Sequence, residues 1–402
     1  MHHSIIPALQ YVGARPVFFD VLNCLNVLNG LNCSLQRGSA AKHMRSFQQP
    51  AIRVLVLGLG QMGSGIARLV LDKQGLELVG ACGRRAEHLG MDLGRAIGLD
   101  RDLGIRISTD LDSTIKTTRP HIAIQATCSK LADAAMEIST LIRHGVHVIS
   151  IAEEMAYPAC ASPALADELN RLAVAHSVSI LGTGINPGFV LDLLVIALTG
   201  VCASIESITA ARVNDLSPYG PTVLRSQGVG LWPEEFHQGL KDGSVVGHIG
   251  FPESMHMIAR ALGWKIARIT ESREPIVARV ERETPFVKVV PGQVAGCLHK
   301  ACAYRDEKPA ITLIHPQQIH PQLEGVATGD TIEICGTPNI RLAGSPEIPG
   351  GTATIALAVN MIPHALNARP GLHTMAELPV PAAILGDARD LVRDGRGEKR
   401  HG

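Results

Sequence analysis

Aromatic side chains are scarce in this chain of 402 residues, where Phe, Trp and Tyr together make up 3%. Such a chain offers few rings on which the bases of a nucleic acid could stack. Its 37 basic and 37 acidic residues leave a formal net charge of zero, so it lacks the charge footprint of a nucleic-acid or anionic-membrane binder. The composition therefore predicts neither a nucleic-acid partner nor a membrane partner.

Long apolar runs are missing as well. A membrane-spanning helix needs roughly 18–20 apolar residues, and no stretch reaches this length without charges or Gly and Pro interruptions. The chain is nevertheless 46% apolar and only 18% charged, which is typical of compact globular proteins. Its length is sufficient for two domains, each with a core of its own.

The nine cysteines are dispersed and odd in number, which indicates reduced thiols in a cytoplasmic enzyme rather than a disulfide framework. Only Cys297, His299 and Cys302 have a ligand-like spacing. They lack the second pair of ligands that structural zinc sites have. Ordinary packing is therefore the better interpretation of these residues, and no metal is predicted.

Both ends of the chain are predicted to lie outside the core. Residues 17–25 are moderately apolar but are interrupted by Asp20, and they show neither a charged n-region nor a small-residue cleavage site. We expect residues 1–49 to be a leader outside the fold, with Met44 as a natural initiator; a weak targeting peptide is the alternative. Residues 387–402 are expected to form a charged tail.

The apolar pattern predicts two different domains. From Ile52 to Leu181, apolar runs alternate with helical periodicity, which is typical of an α/β Rossmann fold with a doubly wound parallel sheet, assigned to residues 50–186. Residues 187–348 are predicted to form an α+β domain with a mostly antiparallel sheet. Its strands are expected at 205–213, 264–273, 276–289 and 310–323, and its helices at 233–241 and 252–262. Residues 349–386 are expected to form a helix, at 351–367, and a segment that returns to the first domain.

The turn after the first strand reads Gly58-Leu-Gly60-Gln61-Met62-Gly63, the pattern GxGxxG. Between a strand and a helix, Gly58 permits a tight turn, Gly60 lets a pyrophosphate approach the backbone, and Gly63 permits close packing. The helix N-terminus adds free N–H groups and a dipole that favours phosphate. We therefore predict that these residues bind a nicotinamide dinucleotide; a glycine-rich turn that binds nothing is the alternative.

The residues after the second and fourth predicted strands indicate which dinucleotide is bound and which side chains line its nicotinamide ribose. The second strand ends at Gly83-Arg84-Arg85, without the carboxylate that would bind the ribose 2′-hydroxyl of NAD, and with two guanidinium groups suited to a phosphate. NADP is therefore predicted to be preferred over NAD; solvated arginines that open a helix are the alternative. Thr127 and Cys128 follow a later buried strand, where side chains normally line the nicotinamide ribose.

Three stretches, at 145–158, 182–189 and 350–381, resemble the family of 2,4-diaminopentanoate dehydrogenase and the native amine dehydrogenases. The most specific of them are Gly-Thr-Gly-Ile-Asn-Pro-Gly at 182–188 and the C-terminal stretch, and residues 247–254 fit as well. The N-terminal domain of this family is similar to that of dihydrodipicolinate reductase. The resemblance implies NAD(P)-dependent oxidative deamination of (2R,4S)-2,4-diaminopentanoate to 2-amino-4-oxopentanoate and ammonia, a step of ornithine degradation. Members commonly have Asp at the end of the second strand, where this chain has Gly83 nearby.

Amine oxidation by hydride transfer needs a base, which takes a proton from the ammonium group and later activates the water that hydrolyses the iminium. Glu153 and Glu154 follow an apolar strand, at the edge of the sheet where ligands of open α/β folds bind. Neighbouring strand residues face opposite ways, so only one is expected to be catalytic. The position slightly favours Glu154, and two solvated glutamates are the alternative.

Other residues are weaker candidates. Asn186 and Pro187 are expected to position the nicotinamide or to form a hinge, although a purely structural turn is equally compatible. Arg225 and His248 are candidates for the substrate α-carboxylate, with Arg212 and Arg305 left open. Two other functions remain: an imine reductase of the dihydrodipicolinate reductase type, whose His- and Lys-rich motif is missing, and a non-catalytic NADP sensor. A homodimer through the second sheet is expected by analogy of fold alone.

Overall fold

Two six-stranded sheets form the framework of residues 50–393, the part of the chain that the computed structural model describes. The predicted leader, residues 1–49, and the last part of the predicted tail lie outside the described residues. Within residues 50–393, no helix combines the length and the apolarity needed to span a bilayer.

The first sheet is entirely parallel, with the strand order β14-β5-β4-β3-β1-β2. Its strands are β1 (Ile52–Leu57), β2 (Leu76–Cys82), β3 (Ile122–Gln125), β4 (His147–Ser150), β5 (Ser179–Gly182) and β14 (Gly371–His373). Its helices are α1 (Gln61–Asp72), α2 (Leu93–Ala96), α3 (Leu111–Thr118), α4 (Leu131–Arg143), α5 (Pro158–Ala161) and α6 (Pro163–Ala175). Strands β3 and β5 are buried along their whole length, as continuous apolar runs in a covered parallel sheet require. The predicted Rossmann arrangement is confirmed.

The sequence of residues 105–108 also predicts a short third strand, but the structure forms none there. The segment makes only two isolated bridges, Ser108 to Cys82 at the outer edge of β2 and Arg106 to Asp92. The reason lies in Asp92, whose carboxylate accepts the backbone N–H groups of Leu103 and Gly104 at 2.9 and 2.8 Å. These bonds hold the segment as a loop beside α2.

The second sheet has the order β13-β12-β6-β11-β10-β7, in which only β6 and β11 are parallel. Its strands are β6 (Ser204–Asp215), β7 (Arg268–Val277), β10 (Val294–Arg305), β11 (Lys308–Gln318), β12 (Gly329–Thr337) and β13 (Ile340–Gly344). The short strands β8 (Arg282–Glu283) and β9 (Lys288–Val289) form a separate hairpin. The helices here are α7 (Leu193–Thr199), α8 (Pro221–Ser226), α9 (Pro233–Asp242) and α10 (Phe251–Ala261). This is the predicted, mostly antiparallel second sheet.

The strand predicted at 276–289 is wrong, because β7 ends at Val277 and the β8–β9 hairpin follows. The sequence does not predict strand β10, which pairs with β11 on one side and with the edge strand β7 on the other. Along β10, Cys297 and His299 face the buried side, whereas Cys302 is on the other side. These three residues therefore cannot share one metal ion, and residues 50–393 contain no group of three His, Cys, Asp or Glu side chains placed to hold one.

The C-terminal part of the chain packs on the first sheet. Helix α11 (Gly350–Asn360) contacts α1, and α12 (Ile362–Asn367) follows it, so the single helix expected at 351–367 is divided at Met361. Pro363 accounts for the break, because proline has no N–H to continue the helix. Strand β14 then joins β5. At 387–393, the start of the predicted tail, Ala388 is fully buried and donates to the carbonyl of Gln74 at 2.9 Å.

Candidate active site

The turn between β1 and α1 has the geometry of a dinucleotide loop. Gly58 has φ +88°, and a Cβ there would lie 2.4 Å from the carbonyl oxygen of Ala126. A Cβ on Gly63 would lie 1.8 Å from the carbonyl oxygen of Gly58. A Cβ on Gly60, by contrast, would meet no protein atom within 4 Å. Packing therefore requires Gly58 and Gly63, whereas the absence of a side chain at Gly60 leaves open space beside the N-terminus of α1, where a pyrophosphate would bind.

The two arginines predicted to bind a 2′-phosphate follow the end of β2, and only one of them has an anionic partner. Arg84 forms an ion pair with Glu137 of α4, with its Nη2 atom 2.8 Å from Oε1. Arg85 is exposed and, within residues 50–393, has no carboxylate partner. The nearest atom to a Cβ built on Gly83 is 3.7 Å away, which is ordinary contact. Glycine is therefore not required by packing at this strand end.

Thr127 and Cys128 follow β3, and their side chains join a hydrogen-bond network. The Thr127 hydroxyl donates to Glu137 Oε2 at 2.5 Å, and the amide of Gln125 donates to Thr127 Oγ1 at 2.6 Å. The same amide lies 3.2 Å from Cys128 Sγ. Burial raises the pKa of the Cys128 thiol, which therefore stays protonated. Both predicted residues thus lie beside the dinucleotide loop, with Thr127 in contact with Gly58.

Glu153 and Glu154 belong to a 3₁₀ turn, Glu153–Ala156, so the alternation of a strand does not apply to them. Glu154 Oε2 accepts the backbone N–H of Leu131 at 2.7 Å, at the start of α4. Burial raises the pKa of Glu153, against the opposing effect of a hydrogen bond from Ser129, and the charge of Glu154 raises it further. A carboxylate with a raised pKa is a stronger base than an ordinary glutamate.

The loop after β5 connects this turn to the second domain. A Cβ on Gly182 would lie 1.7 Å from the carbonyl oxygen of Met155, so the loop and the turn are in direct contact. The Asn186–Pro187 bond is cis, and a Cβ on Gly250 would lie 2.4 Å from Pro187 Cδ. Residue 250 precedes α10, so this loop contacts both the Glu153–Ala156 turn and the start of α10.

Asp192 fixes that contact, and the sequence analysis did not identify it. Its fully buried carboxylate accepts the backbone N–H of Gly188 at 2.7 Å and the hydroxyl of Ser254, on α10, at 2.8 Å. It also accepts the N–H of Leu193 at 2.7 Å. Burial raises its pKa. Asp192 therefore acts as a structural link between the loop and α10.

Three histidines from different elements surround Phe251 at the start of α10, and two of them, His299 and His315, are buried. The His248 ring lies 4.8 Å from the Phe251 ring and 4.9 Å from the His315 ring, and the His299 ring lies 4.7 Å from Phe251. His299 Nδ1 accepts the backbone N–H of His248, so its Nε2–H donates to Glu271. Burial lowers the pKa of His248 to about 3, so its imidazole is neutral near neutral pH. The predicted candidate His248 thus belongs to this cluster of rings around Phe251.

Four buried side-chain atoms have no hydrogen-bond partner among residues 50–393: Thr183 Oγ1, Asn186 Oδ1, His248 Nε2 and Arg282 Nε. Asn186 and His248 both lie beside His315. Nearly all buried polar groups in proteins are hydrogen-bonded, so the unpaired atoms of these two residues are candidates for contact with a polar ligand. Asn186 Nδ2 lies 3.4 Å from His315 Nδ1, and His315 Nε2 lies 3.0 Å from Asn214 Oδ1.

The sequence offers three arginines as candidates for binding the substrate carboxylate, and two of them are poorly placed for this role. Arg225 is exposed on α8, where its Nε donates to the carbonyl of Pro221 in the same helix. Arg305 lies over the ring of Trp264, 4.4 Å from its centroid. Arg212, by contrast, is 2% exposed, pairs with Asp330 at 2.8 Å, and its charge contributes to lowering the pKa of both His248 and His315.

Glu253, in the first turn of α10, is a further carboxylate that the sequence analysis missed. Its side chain is buried, and this burial, with smaller contributions from Glu154, Glu271 and Glu153, raises its pKa to about 7. The sequence gives little indication that Glu253 has a special role, because a glutamate after Phe-Pro is common in the first turn of a helix. Its electrostatic coupling to Glu153 indicates that the two carboxylates lie at the same boundary between the domains.

Comparisons with known proteins agree with this architecture. Residues 189–394 match the model of the 2,4-diaminopentanoate dehydrogenase C-terminal domain, and residues 52–151 match that of the dihydrodipicolinate reductase N-terminus. The chain is 48% identical over 345 residues to the 2,4-diaminopentanoate dehydrogenase of Acetoanaerobium sticklandii, which covers 85% of this chain and 98% of the relative.

Amine dehydrogenases are also similar. An amine dehydrogenase of Streptomyces virginiae is 24% identical over 356 residues, which cover 83% of this chain and 98% of the relative. The solved structure of the amine dehydrogenase from Mycobacterium smegmatis superposes with a TM-score of 0.75 at 28% identity, over 82% of this chain and 97% of that one.

Proposed function

The chain belongs to the 2,4-diaminopentanoate dehydrogenase family of oxidoreductases, and from this we propose that it oxidatively deaminates (2R,4S)-2,4-diaminopentanoate. The products are 2-amino-4-oxopentanoate and ammonia, in a reaction that reduces one NAD(P)⁺, consumes one water and releases one proton. The observation that carries the proposal is Glu153, a carboxylate of raised pKa in a turn that contacts the loop bearing the unpaired Thr183 Oγ1 and Asn186 Oδ1 atoms.

We propose that residues 58–63 and the N-terminus of α1 hold the pyrophosphate. The open space at Gly60 supports this assignment, since it leaves room for a pyrophosphate to approach the backbone at the start of α1. When bound, the nicotinamide supplies the acceptor for the hydride that leaves the amine carbon. The exposed Arg85 would contact the 2′-phosphate, so NADP is the preferred cofactor and NAD the alternative.

In this proposal Glu153 is the base. Its carboxylate takes a proton from the substrate ammonium, so that the neutral amine can lose hydride. After it has released this proton to solvent, the carboxylate accepts a proton from the water that attacks the iminium carbon. Its negative charge also stabilises the cationic iminium. Glu154 is the weaker candidate, since its Oε2 already caps α4.

His248 and Arg212 are our candidates for binding the substrate carboxylate. His248 presents a buried, unpaired Nε2 atom, and Arg212 places a buried positive charge near it. Arg225 is not included, because it is exposed on α8. Asn186 and Pro187 would position the nicotinamide end of the cofactor, since Asn186 Oδ1 is also unpaired.

Further parts of the proposal concern the cellular form of the enzyme. We propose a homodimer through the outer face of the second sheet, where Leu298, Cys302, Tyr304 and Ile314 are only partly covered. The seven cysteines among the described residues are free thiols, which suits the cytoplasm. The reaction fits a step in ornithine degradation.

The test is an assay of the purified full chain with NADP or NAD and three amines: 2,4-diaminopentanoate, a monoamine without a carboxylate such as 2-aminopentane, and a 2-amino acid without the 4-amino group. Growth of reduced-nicotinamide absorbance with stoichiometric ammonia is expected for the first. Loss of a charged contact typically costs ~1.5–3 kcal/mol, so kcat/KM for the monoamine should be lower by at least about tenfold. A chain that binds NADP but oxidises none of these amines would be the sensor, not the dehydrogenase.

A further inference from the structure

The ion pair between Arg84 and Glu137 lies where the cofactor preference of a Rossmann enzyme is set. Arg84 follows the end of β2, the position that approaches the adenosine ribose in this fold. Its Nε and Nη2 atoms lie 3.2 and 2.8 Å from Glu137 Oε1, and Glu137 raises the pKa of Arg84 by this hydrogen bond. The guanidinium therefore already has an anionic partner supplied by α4.

Glu137 is itself held in place from the other side. Its Oε2 atom accepts the hydroxyl of Thr127 at 2.5 Å, and the amide of Gln125 lies 3.4 Å away. Gln125 is fully buried and its Oε1 accepts the hydroxyl of the buried Ser150 at 2.5 Å. The carboxylate is thus fixed to the core by a chain of side-chain hydrogen bonds, and only 14% of its side chain is exposed, whereas that of Arg84 is 56% exposed.

We propose that Glu137 is a specificity-determining residue, which holds Arg84 away from the 2′-phosphate and leaves Arg85 as the phosphate ligand. The inference rests on the proposed use of a nicotinamide dinucleotide. The pair carries no net charge, so it neither attracts a 2′-phosphate strongly nor repels NAD. A site of this kind accepts both cofactors, with a preference for NADP that is smaller than two free arginines would give.

The test measures binding of NADPH and NADH to the full chain by titration of nucleotide fluorescence, for Glu137→Gln, Arg84→Ala and the double variant. Glutamine keeps the size and hydrogen bonding of Glu137 but removes its charge. We expect Glu137→Gln to lower the Kd for NADPH by about tenfold, the size of one charge-assisted phosphate contact, and to leave the Kd for NADH within about twofold. Arg84→Ala alone leaves the charge of Glu137 unpaired, so the effect of Arg84 is measured in the Glu137→Gln background, where Arg84→Ala should abolish the gain.

Glu168→Gln, which removes an exposed carboxylate from α6, is the matched control for the change in total charge and should alter neither Kd. An unchanged NADPH affinity in Glu137→Gln would overturn the inference, as would a gain that persists in the double variant. Loss of NADH binding in Glu137→Gln without a gain for NADPH would also overturn it. If the native chain bound neither nucleotide, the proposed function itself would fail, and this result is distinct from all the others.

Discussion

Glu154 Oε2 lies 2.7 Å from the backbone nitrogen of Leu131, so the carboxylate of one of the two adjacent glutamates caps α4. A negative charge at this position satisfies a free N–H group and interacts favourably with the helix dipole. This contact separates the two glutamates by role: one stabilises the helix that follows β3, and the other is left with a raised pKa at the domain boundary.

The cap leads to a prediction about stability. Glu154→Ala removes the acceptor for Leu131 N–H, and loss of a cap costs about 0.5–2 kcal/mol. Thermal unfolding should shift to lower temperature by a few degrees, while kcat stays within a few-fold of the native value. Glu168→Ala on the exposed face of α6 is the control and should not change the unfolding temperature. A loss of kcat of a hundredfold in Glu154→Ala would assign the base to Glu154 instead.

Arg85→Ala tests the cofactor assignment. Arg85 is exposed without a carboxylate partner among residues 50–393, so its guanidinium is free for a phosphate. Loss of a charge-assisted contact costs about 1.5–3 kcal/mol, so KM for NADP should rise by roughly tenfold or more, with little change in kinetics with NAD. Equal effects on both cofactors in steady-state kinetics would show that Arg85 does not contact the 2′-phosphate.

Glu253 makes the stability of the protein depend on pH. Burial raises its pKa to about 7, above its ordinary value of 4.5, so the folded state binds this proton more tightly than the unfolded state. The resulting contribution to stability is complete below the unfolded pKa and is lost as pH rises through about 7. Glu253→Gln should therefore match the native protein near pH 4.5 and exceed it at pH 8, by on the order of 2 kcal/mol. Denaturant titrations at the two pH values measure this, and a pH-independent difference would contradict the assignment.

Asp192→Ala should have the largest structural effect of these substitutions. It leaves the N–H of Gly188 and the hydroxyl of Ser254 without their buried acceptor, and each unsatisfied group costs about 1–3 kcal/mol. Ser254→Ala, which removes only one of these bonds, should lose about 1 kcal/mol. Denaturant unfolding distinguishes the two. Equal losses would show that the link between the loop and α10 does not depend on the Asp192 carboxylate.

The first domain could be predicted from the sequence because its strands are continuous apolar runs and its dinucleotide turn has fixed glycine positions. Strands β10, β12 and β13 were missed for a physical reason: they pair in an antiparallel sheet with one partly open face, and β10 contains small or polar residues such as Ala301, His299 and Lys300. A residue such as His299 has a clear role only when the sheet brings it against Phe251.

In the candidate site, too, the residues whose roles depend on contacts with distant parts of the chain could not be predicted from the sequence. Motifs make Glu153, Glu154, Asn186 and His248 candidates from the sequence alone, with Glu154 slightly favoured, because motifs preserve local spacing. Glu137, Asp192, Glu253 and His315 lie in unremarkable local sequence, and their importance arises from partners 10–129 residues away in the chain. The choice between Glu153 and Glu154 also required the structure, since it depends on a contact with the start of another helix.

The central claim is that Glu153 is the base, and the pH dependence of amine oxidation by Glu153→Gln tests it most directly. With 2,4-diaminopentanoate and saturating NADP, kcat should fall by about 10²–10⁴-fold, the usual cost of losing a general base, while the Kd for NADPH stays the same. In the native enzyme, the raised pKa of Glu153 should place the acidic limb of the kcat profile above the ordinary range of a glutamate, and this limb should be absent from the variant. A Glu153→Gln variant that retains near-native kcat, with the acidic limb intact, would contradict the account.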